Sequence, residues 1–196
     1  MKRAIYSFQL TDRDEAALCY FAQIVAASLR PGDLLALNGD LGAGKTTFAR
    51  AVIRALTENP AEEIPSPTFT LVQTYETPRM TVAHFDLYRL GEPDELMELG
   101  LEETLQHGIC LVEWPERGGG LLPAERITIS IRDTENGLHD YRNLEIEGRG
   151  AFADRARRLE RMTALLAESG WGDSKTTVAY LQGDASPRRY ARVERP

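Results

Sequence analysis

The stretch that decides the fold runs from residue 33 to residue 57 and reads DLLALN (33–38), GDLGAGKT (39–46) and TFARAVIRALT (47–57). The first segment is almost continuously apolar, which is typical of a strand buried on both faces. From Thr46 to Thr57 apolar residues recur at helical spacing. The segment between them matches G-x-x-x-x-G-K-[ST] and stands between strand and helix, as a P-loop requires. The sequence therefore predicts an α/β fold of the P-loop NTPase type.

The chemistry expected of this loop is phosphate binding. Glycines let successive backbone N–H groups turn toward one anion, and the following helix adds the positive end of its dipole. Lys45 is placed to neutralise the β- and γ-phosphates of a nucleotide, and the Thr46 hydroxyl is placed to ligate Mg²⁺. The chain has lysine only at positions 2, 45 and 175.

Composition indicates a folded domain without a membrane segment. The chain has 196 residues, 42% hydrophobic and 27% charged, and a net charge of -7. The acidic surplus lies in residues 1–148, whereas residues 149–196 are basic on balance. An acidic body argues against broad binding of nucleic-acid backbones, because that mode needs a surplus of Lys and Arg. We expect no signal peptide, a cytoplasmic location, and two buried thiols at Cys19 and Cys110.

Two further elements are predicted ahead of the loop. Residues 3–10 have the composition of a short strand. A helix follows to about Leu29, with Thr11 and the acidic residues after it as the N-terminal cap and first turn.

Beyond the loop we expect two hairpins and a second buried strand. One hairpin joins residues 68–76 to 80–86, and the other joins 126–132 to 142–147 around Asn136-Gly137. Residues 92–106 have the pattern of an acidic helix that Gly100 can split. The buried strand at residues 109–112 ends in Glu113.

A triphosphate site also needs a carboxylate at a neighbouring strand end, to hold Mg²⁺ and orient water. Glu113 and Asp86 both satisfy this requirement, and spacing alone does not rank them. We interpret His84 as an edge-strand residue rather than a catalyst. Trp114 is equally compatible with packing at the sheet edge and with covering a nucleotide or a partner. ATP is favoured over GTP because no lysine lies in an N-K-x-D motif.

Five strings follow one another in the chain: GDLGAGKTTFAR (39–50), SPTFTLVQTYE (66–76), HFDLYRL (84–90), ELMELGLEE (95–103) and LVEWPER (111–117). In this order they resemble the TsaE family, the ATPase of bacterial tRNA threonylcarbamoyladenosine biosynthesis, over about residues 5–150. The resemblance implies a P-loop fold whose sheet mixes parallel and antiparallel strands and is flanked by helices. It also implies action on the TsaB–TsaD complex, which transfers the threonylcarbamoyl group to tRNA. A TsaE protein does not itself perform that transfer, and its ATPase is weak without its partners.

The resemblance assigns roles to individual positions. It implies catalytic roles for Lys45, Asp86 and Glu113, and Mg²⁺ coordination by Thr46 and Glu113. It places a γ-phosphate-sensing or partner-binding segment at Ser66 and Thr68, together with Trp114. The positions implied for ATP binding are Gly39, Asp40, Leu41, Gly42, Ala43, Gly44, Lys45, Thr46 and Thr47, with Thr11 and Arg132 near the base.

Residues 151–196 depart from the family. Phe152 to Leu166 has a helical pattern with a basic face, formed by Arg155, Arg157, Arg158 and Arg161. The final YLQGDASPRRYARVERP (180–196) resembles the opening strand–loop–strand of aminoglycoside-phosphotransferase-like kinases. We therefore expect an ATPase domain at 1–150, followed by a basic helical linker and the truncated start of a second domain.

Two other functions remain open from the sequence. The chain could be a nucleotide-gated binding module in which hydrolysis is incidental, or a P-loop kinase that phosphorylates a small metabolite. The kinase requires an acceptor pocket, for which no cluster of residues is evident in the sequence.

Overall fold

The strand that leads into the glycine loop lies at the centre of a seven-stranded sheet. The computed structural model describes residues 4–134, 140–173, 175–181 and 190–195. The strands of the sheet are β1 (Ile5–Arg13), β2 (Leu34–Asn38), β3 (Val72–Glu76), β4 (Thr81–Asp86), β5 (Ile109–Glu113), β6 (Ile127–Asp133) and β7 (Arg142–Arg149). Their order across the sheet is β1-β7-β6-β2-β5-β4-β3.

The sheet is parallel in its middle and antiparallel toward both edges. β2 pairs in parallel with β5 and β6, and β4 pairs in parallel with β5. The pairs β3–β4, β6–β7 and β1–β7 are antiparallel. The predicted mixed sheet and both predicted hairpins are confirmed, while the turn residues Asn136 and Gly137 lie outside the described residues. Parallel strands are buried on both faces, which explains why Leu34–Asn38 lacks polar alternation.

The helices are α1 (Glu15–Ser28), α2 (Lys45–Thr57), α3 (Leu101–His107) and α4 (Ala153–Glu168). α1 and α2 pack on one face of the sheet, where Phe21 and Phe48 form a tilted ring pair with centroids 6.1 Å apart. A second apolar cluster, which includes Phe85 and Leu101, covers the opposite face. Across the described ranges, every helix lacks the length and apolar composition that a bilayer span requires.

Three local predictions need correction or refinement. β1 continues past residue 10 to Arg13, so Thr11 lies in the strand, and the cap of α1 is Asp14, whose side chain accepts from the Ala17 amide. The acidic segment splits at Gly100 into a 3₁₀ turn, Pro93–Met97, and α3. Gly100 has a φ of 75°, a conformation that L side chains rarely adopt.

The two cysteines differ in environment. Cys110 is fully buried, and burial raises the pKa of its thiol to about 12. Cys19 is only half-buried, so the prediction of two buried thiols holds for Cys110 alone.

The C-terminal residues pack against the main sheet. α4 lies against β1, β7 and α1, and its inward residues Ala156 and Leu159 belong to the same apolar cluster as Phe21. β8 (Thr177–Leu181) and β9 (Tyr190–Glu194) form a separate antiparallel pair, and β8 contacts α1. The predicted helix and the predicted pair of strands are therefore present, whereas the domain boundary at residue 150 stays a prediction.

Arg155 does not contribute to an exposed basic face. Its guanidinium donates to both carboxylate oxygens of Asp33 at 2.5 Å and to the Ser28 carbonyl at 3.0 Å. The side chains of Arg155 and Asp33 are only 13% and 6% exposed. This buried ion pair fastens α4 to the segment that enters β2.

We expect Arg155→Ala to lower the free energy of unfolding by about 3–5 kcal/mol, because it strands the Asp33 carboxylate in a buried position. Chemical denaturation monitored by circular dichroism measures this change. Arg158→Ala, at an exposed position of the same helix, is the matched control and should change stability by less than about 0.5 kcal/mol. Equal effects of the two variants would contradict the assigned role of the ion pair.

Candidate functional site

The loop between β2 and α2 can be built only with glycine at critical positions. Gly39 has a φ of 148°, and a Cβ at this residue would lie 2.5 Å from the Ile131 carbonyl oxygen of β6. Gly44 has a φ of 107° and directly precedes the first residue of α2. The loop therefore lies tightly against the sheet and delivers the unpaired N–H groups of the helix N-terminus to one point.

Lys45 is held inside this loop. Its Nζ donates to the carbonyls of Gly39 at 2.6 Å and Asp40 at 2.8 Å, and lies 3.7 Å from the ring centroid of Trp114. The residue is 4% exposed. Burial lowers the pKa of the Lys45 ammonium, and the Glu113 carboxylate partly opposes that shift. The chain's own carbonyls and the Trp114 ring thus position the ammonium within the loop.

The two strand-end acids lie side by side. β4 and β5 are parallel neighbours, and Asp86 is paired in register with Glu113. On its other side β5 places Glu113 beside Leu37, just before the glycine loop. Both carboxylates are buried, at 3% and 1% exposure. The carboxyl ends of three adjacent strands thus bring the predicted acids and the loop to one edge.

The hydrogen bonds of Glu113 distinguish it from Asp86. The Thr46 hydroxyl donates to Glu113 Oε2 at 2.9 Å, and His84 Nε2 lies 2.8 Å from Glu113 Oε1. The prediction of an edge position for His84 is wrong, because β4 lies between β3 and β5 and the residue is fully buried. The contact between His84 and Glu113 could not be predicted, because a single sequence does not show which strands are neighbours in the sheet.

Asp86 binds the segment with the two prolines. Asp86 Oδ2 accepts hydrogen bonds from Ser66 Oγ at 2.9 Å and Thr68 Oγ1 at 2.7 Å. Its other oxygen accepts from the Tyr88 amide at 3.1 Å. The Ser66 and Thr68 hydroxyls are themselves 2.8 Å apart. Ser66 and Thr68 are therefore brought to the site by one carboxylate.

These groups line a cavity of about 270 Å³. Its walls are formed by Leu41, Gly42, Gly44, Lys45, Thr46, Thr47, Ser66, Thr68, Asp86, Tyr88, Glu113 and Trp114. The rings of Tyr88 and Trp114 contact each other at 5.0 Å between centroids. Trp114 thus both packs at the strand end and borders the cavity.

A second cavity, of about 500 Å³, also borders the glycine loop and shares Gly42, Gly44 and Thr47 with the first. It is lined by Asp14, Glu15, Ala16, Leu18, Gly42, Ala43, Gly44, Thr47, Asp140 and Arg142. Arg142 Nε donates to the Ala43 carbonyl at 3.1 Å, which ties β7 to the loop. Sequence reasoning missed Asp14 and Arg142, because neither belongs to a motif and the Arg142 contact is distant along the chain.

Thr11 and Arg132 line neither of these cavities. Thr11 is an exposed residue of β1. The Arg132 side chain is 69% exposed, and its Nη2 lies 3.3 Å from Glu145 Oε2. Arg132 directly follows Ile131, whose carbonyl abuts Gly39.

The donor set suits a nucleotide-bound magnesium ion. Among the described residues no three His, Cys, Asp or Glu side chains cluster as a self-sufficient metal site. Mg²⁺ is usually held by one or two protein oxygen ligands together with phosphates and water. The hydrogen-bonded Thr46 hydroxyl and Glu113 carboxylate provide such oxygens beside the glycine loop.

Comparisons with known proteins agree with one another. The family model described as "Threonylcarbamoyl adenosine biosynthesis protein TsaE" matches residues 12–143. The chain is similar to the tRNA threonylcarbamoyladenosine biosynthesis protein TsaE of Rickettsia bellii, with 49% identity over 113 residues, covering 57% of this chain and 77% of that protein. The Bacillus subtilis protein of the same name is 42% identical over 112 residues, covering 57% and 68%.

A solved structure supports the fold. The crystal structure of Bacillus subtilis YdiB superposes with a TM-score of 0.67 at 30% sequence identity. The match covers 81% of this chain and 97% of that one.

Proposed function

The chain belongs to the TsaE family, and from that premise we propose that it is a Mg²⁺-dependent ATPase that supports tRNA threonylcarbamoyladenosine modification. The observation that carries the proposal is the buried constellation at the loop: Lys45 Nζ inside the glycine turn and the Thr46 hydroxyl bonded to Glu113. A P-loop needs these partners for a triphosphate. A glycine turn that merely caps a helix needs neither.

The lining of the two cavities favours one orientation for the nucleotide. The 270 Å³ cavity contains the carboxylates and Lys45, so it suits the β- and γ-phosphates. The 500 Å³ cavity next to it along the loop suits the nucleoside, with Asp14 and Arg142 on its wall. Thr11 and Arg132 line neither cavity, so this orientation does not use them, and their role as base contacts stays a prediction from the sequence. ATP is the proposed nucleotide because the chain has no N-K-x-D motif.

Different residues of the site are proposed to bind the phosphates, coordinate Mg²⁺ and anchor the segment containing Ser66 and Thr68. Lys45 and the loop amides hold the phosphates in a fixed position. Thr46 and Glu113 would hold Mg²⁺, which supplies charge neutralisation at the phosphates when bound. Asp86 holds the Ser66 and Thr68 hydroxyls next to the cavity. A γ-phosphate offers those hydroxyls alternative acceptors, so occupancy can shift this segment and thereby signal to a partner.

We further propose that the partner is the TsaB–TsaD complex and that tRNA is reached only through it, in the cytoplasm. The names of the relatives place those proteins in tRNA threonylcarbamoyladenosine biosynthesis. The acidic chain, with its net charge of -7, disfavours direct backbone contact with RNA. The proposed task is ATP-driven remodelling of that complex, not transfer of the threonylcarbamoyl group.

We expect Mg-ATP hydrolysis by the chain alone to be slow and to rise at least tenfold when the TsaB–TsaD pair is added. Steady-state phosphate release, measured with and without the pair, tests this expectation. Turnover that the pair leaves unchanged would preserve the ATPase but contradict the assignment to the tRNA pathway. No nucleotide binding at all would contradict the site itself.

A further inference from the structure

His84 is a buried polar residue that the proposed ATPase cycle does not yet use. The residue has 0% exposure and does not line the phosphate cavity, so it cannot touch a nucleotide there. Its Nε2 lies 2.8 Å from Glu113 Oε1. We propose that His84 is a positioning residue that fixes the Glu113 carboxylate for Mg²⁺ and so acts on ATP through Glu113.

The hydrogen-bond chemistry gives the contact a direction. An ionised carboxylate only accepts hydrogen bonds, so the imidazole must carry a proton on Nε2 and donate it to Glu113. His84 Nδ1 has no partner among the described residues. Within the described part of the chain, the single polar contact of this buried ring is therefore the one with the Glu113 carboxylate.

The two bonds of Glu113 together determine the plane of its carboxylate. The terminal torsion of a glutamate is broad and has no sharp minimum of its own. Here Oε1 is held by His84 and Oε2 by Thr46. Without His84, the carboxylate can rotate about its last bond, for example toward the Lys45 ammonium. Histidine thus selects the orientation in which one oxygen faces the Thr46 hydroxyl.

The sheet supplies a rigid base for this arrangement. His84 is paired with Leu111, two positions before the paired residues Asp86 and Glu113. Residues two apart on a strand share a face, so His84 and Glu113 are diagonal neighbours on adjacent inner strands. Neither side chain depends on a loop for its position. Partners that orient a ligand in this way commonly change metal affinity by about 10–100-fold when removed.

The inference rests on the proposed function, and its test uses binding rather than turnover. The ratio of dissociation constants for mant-ATP without and with Mg²⁺ measures how much the ion contributes. His84→Gln keeps an amide N–H near the Nε2 position, whereas His84→Asn places its amide near Nδ1, out of reach of Glu113. We expect the Gln variant to retain the ratio within about threefold and the Asn variant to lose at least tenfold.

A double mutant separates positioning from a general structural effect. In a Glu113→Ala background, His84→Asn should change the ratio by less than twofold, because the residue it orients is gone. Equal ratios for His84→Gln and His84→Asn, or a further tenfold loss in the Glu113→Ala background, would overturn the inference alone. A wild-type ratio of one would overturn the proposed Mg-ATP function and the inference with it. Thermal melts of every variant establish that the chains compared are folded.

Discussion

Lys45→Ala is expected to lower kcat/KM for Mg-ATP hydrolysis by at least about 10²–10³-fold, the loss typical of removing one preorganised group that stabilises developing charge. The ammonium is held within the loop by the Gly39 and Asp40 carbonyls at 2.6 and 2.8 Å. Binding to phosphate would exchange these neutral acceptors for anionic oxygens, which bind an ammonium more strongly. Alanine leaves the glycine turn intact but removes its cation.

The measurement is phosphate release under steady-state conditions, together with mant-ATP binding. Lys175→Ala is the matched control, since Lys175 is exposed and lies in the C-terminal segment. It removes the same charge from the chain without touching the loop. Hydrolysis by Lys45→Ala within tenfold of the wild type would contradict the P-loop assignment. A parallel loss in both variants would indicate a charge effect unrelated to the site.

The parts of the fold predicted correctly are those encoded by neighbouring residues. The strand, glycine loop and helix of residues 33–57 are contiguous, and each has its own signal in apolar spacing or glycine placement. The hairpins follow from the same local logic. The break at Gly100 was visible as a glycine inside a helical pattern, and the structure uses its positive φ of 75°.

Three features of the structure that the sequence did not reveal depend on partners far apart in the chain. His84 has strand composition whether its strand lies at the edge or inside the sheet, and only the sheet order places it next to Glu113. By its helical spacing Arg155 lies on the basic face of α4, but in the structure it forms a buried ion pair with Asp33. Arg142 reaches the glycine loop across a long separation. Long-range pairing of this kind leaves no periodic signal in a single sequence.

Sequence spacing could not decide whether Asp86 or Glu113 is linked to Mg²⁺. Their hydrogen bonds assign them different roles. Both residues end neighbouring parallel strands, so their positions at the strand ends do not distinguish them. Glu113 is bonded to Thr46, the residue that begins the loop helix with Lys45. Asp86 is bonded to Ser66 and Thr68. We infer that Glu113 has the metal-linked role and that Asp86 anchors the segment containing Ser66 and Thr68.

Glu113→Gln is expected to lower kcat for Mg-ATP hydrolysis by about 10²–10³-fold while ATP still binds. A neutral amide is a weaker ligand than a carboxylate for a hard cation such as Mg²⁺. Lys45 and the loop amides, which we propose hold the phosphates, are unchanged by the substitution. Single-turnover hydrolysis with excess enzyme measures the chemical step, and mant-ATP fluorescence measures binding.

Glu116→Gln is the matched control for the Glu113 variant. Glu116 is exposed, yet its charge also acts on Lys45, so its substitution reproduces the loss of a nearby negative charge without altering a ligand. We expect less than a threefold change in kcat for this control. A Glu113→Gln chain that hydrolyses ATP within threefold of the wild type would contradict the metal-linked role.

The Glu113 variant also decides between an ATPase cycle and a nucleotide-gated binding module. A chain that binds ATP but cannot hydrolyse it becomes fixed in its ATP-bound state. If remodelling of TsaB–TsaD needs hydrolysis, reconstituted tRNA modification with Glu113→Gln should stop after about one round per complex. If occupancy alone controls docking, modification should continue over many rounds, and the hydrolysis seen with the wild type would be incidental. A Glu113 carboxylate held by Thr46 and His84 would serve Mg²⁺ binding in both cases, so the number of modification rounds decides between the two functions.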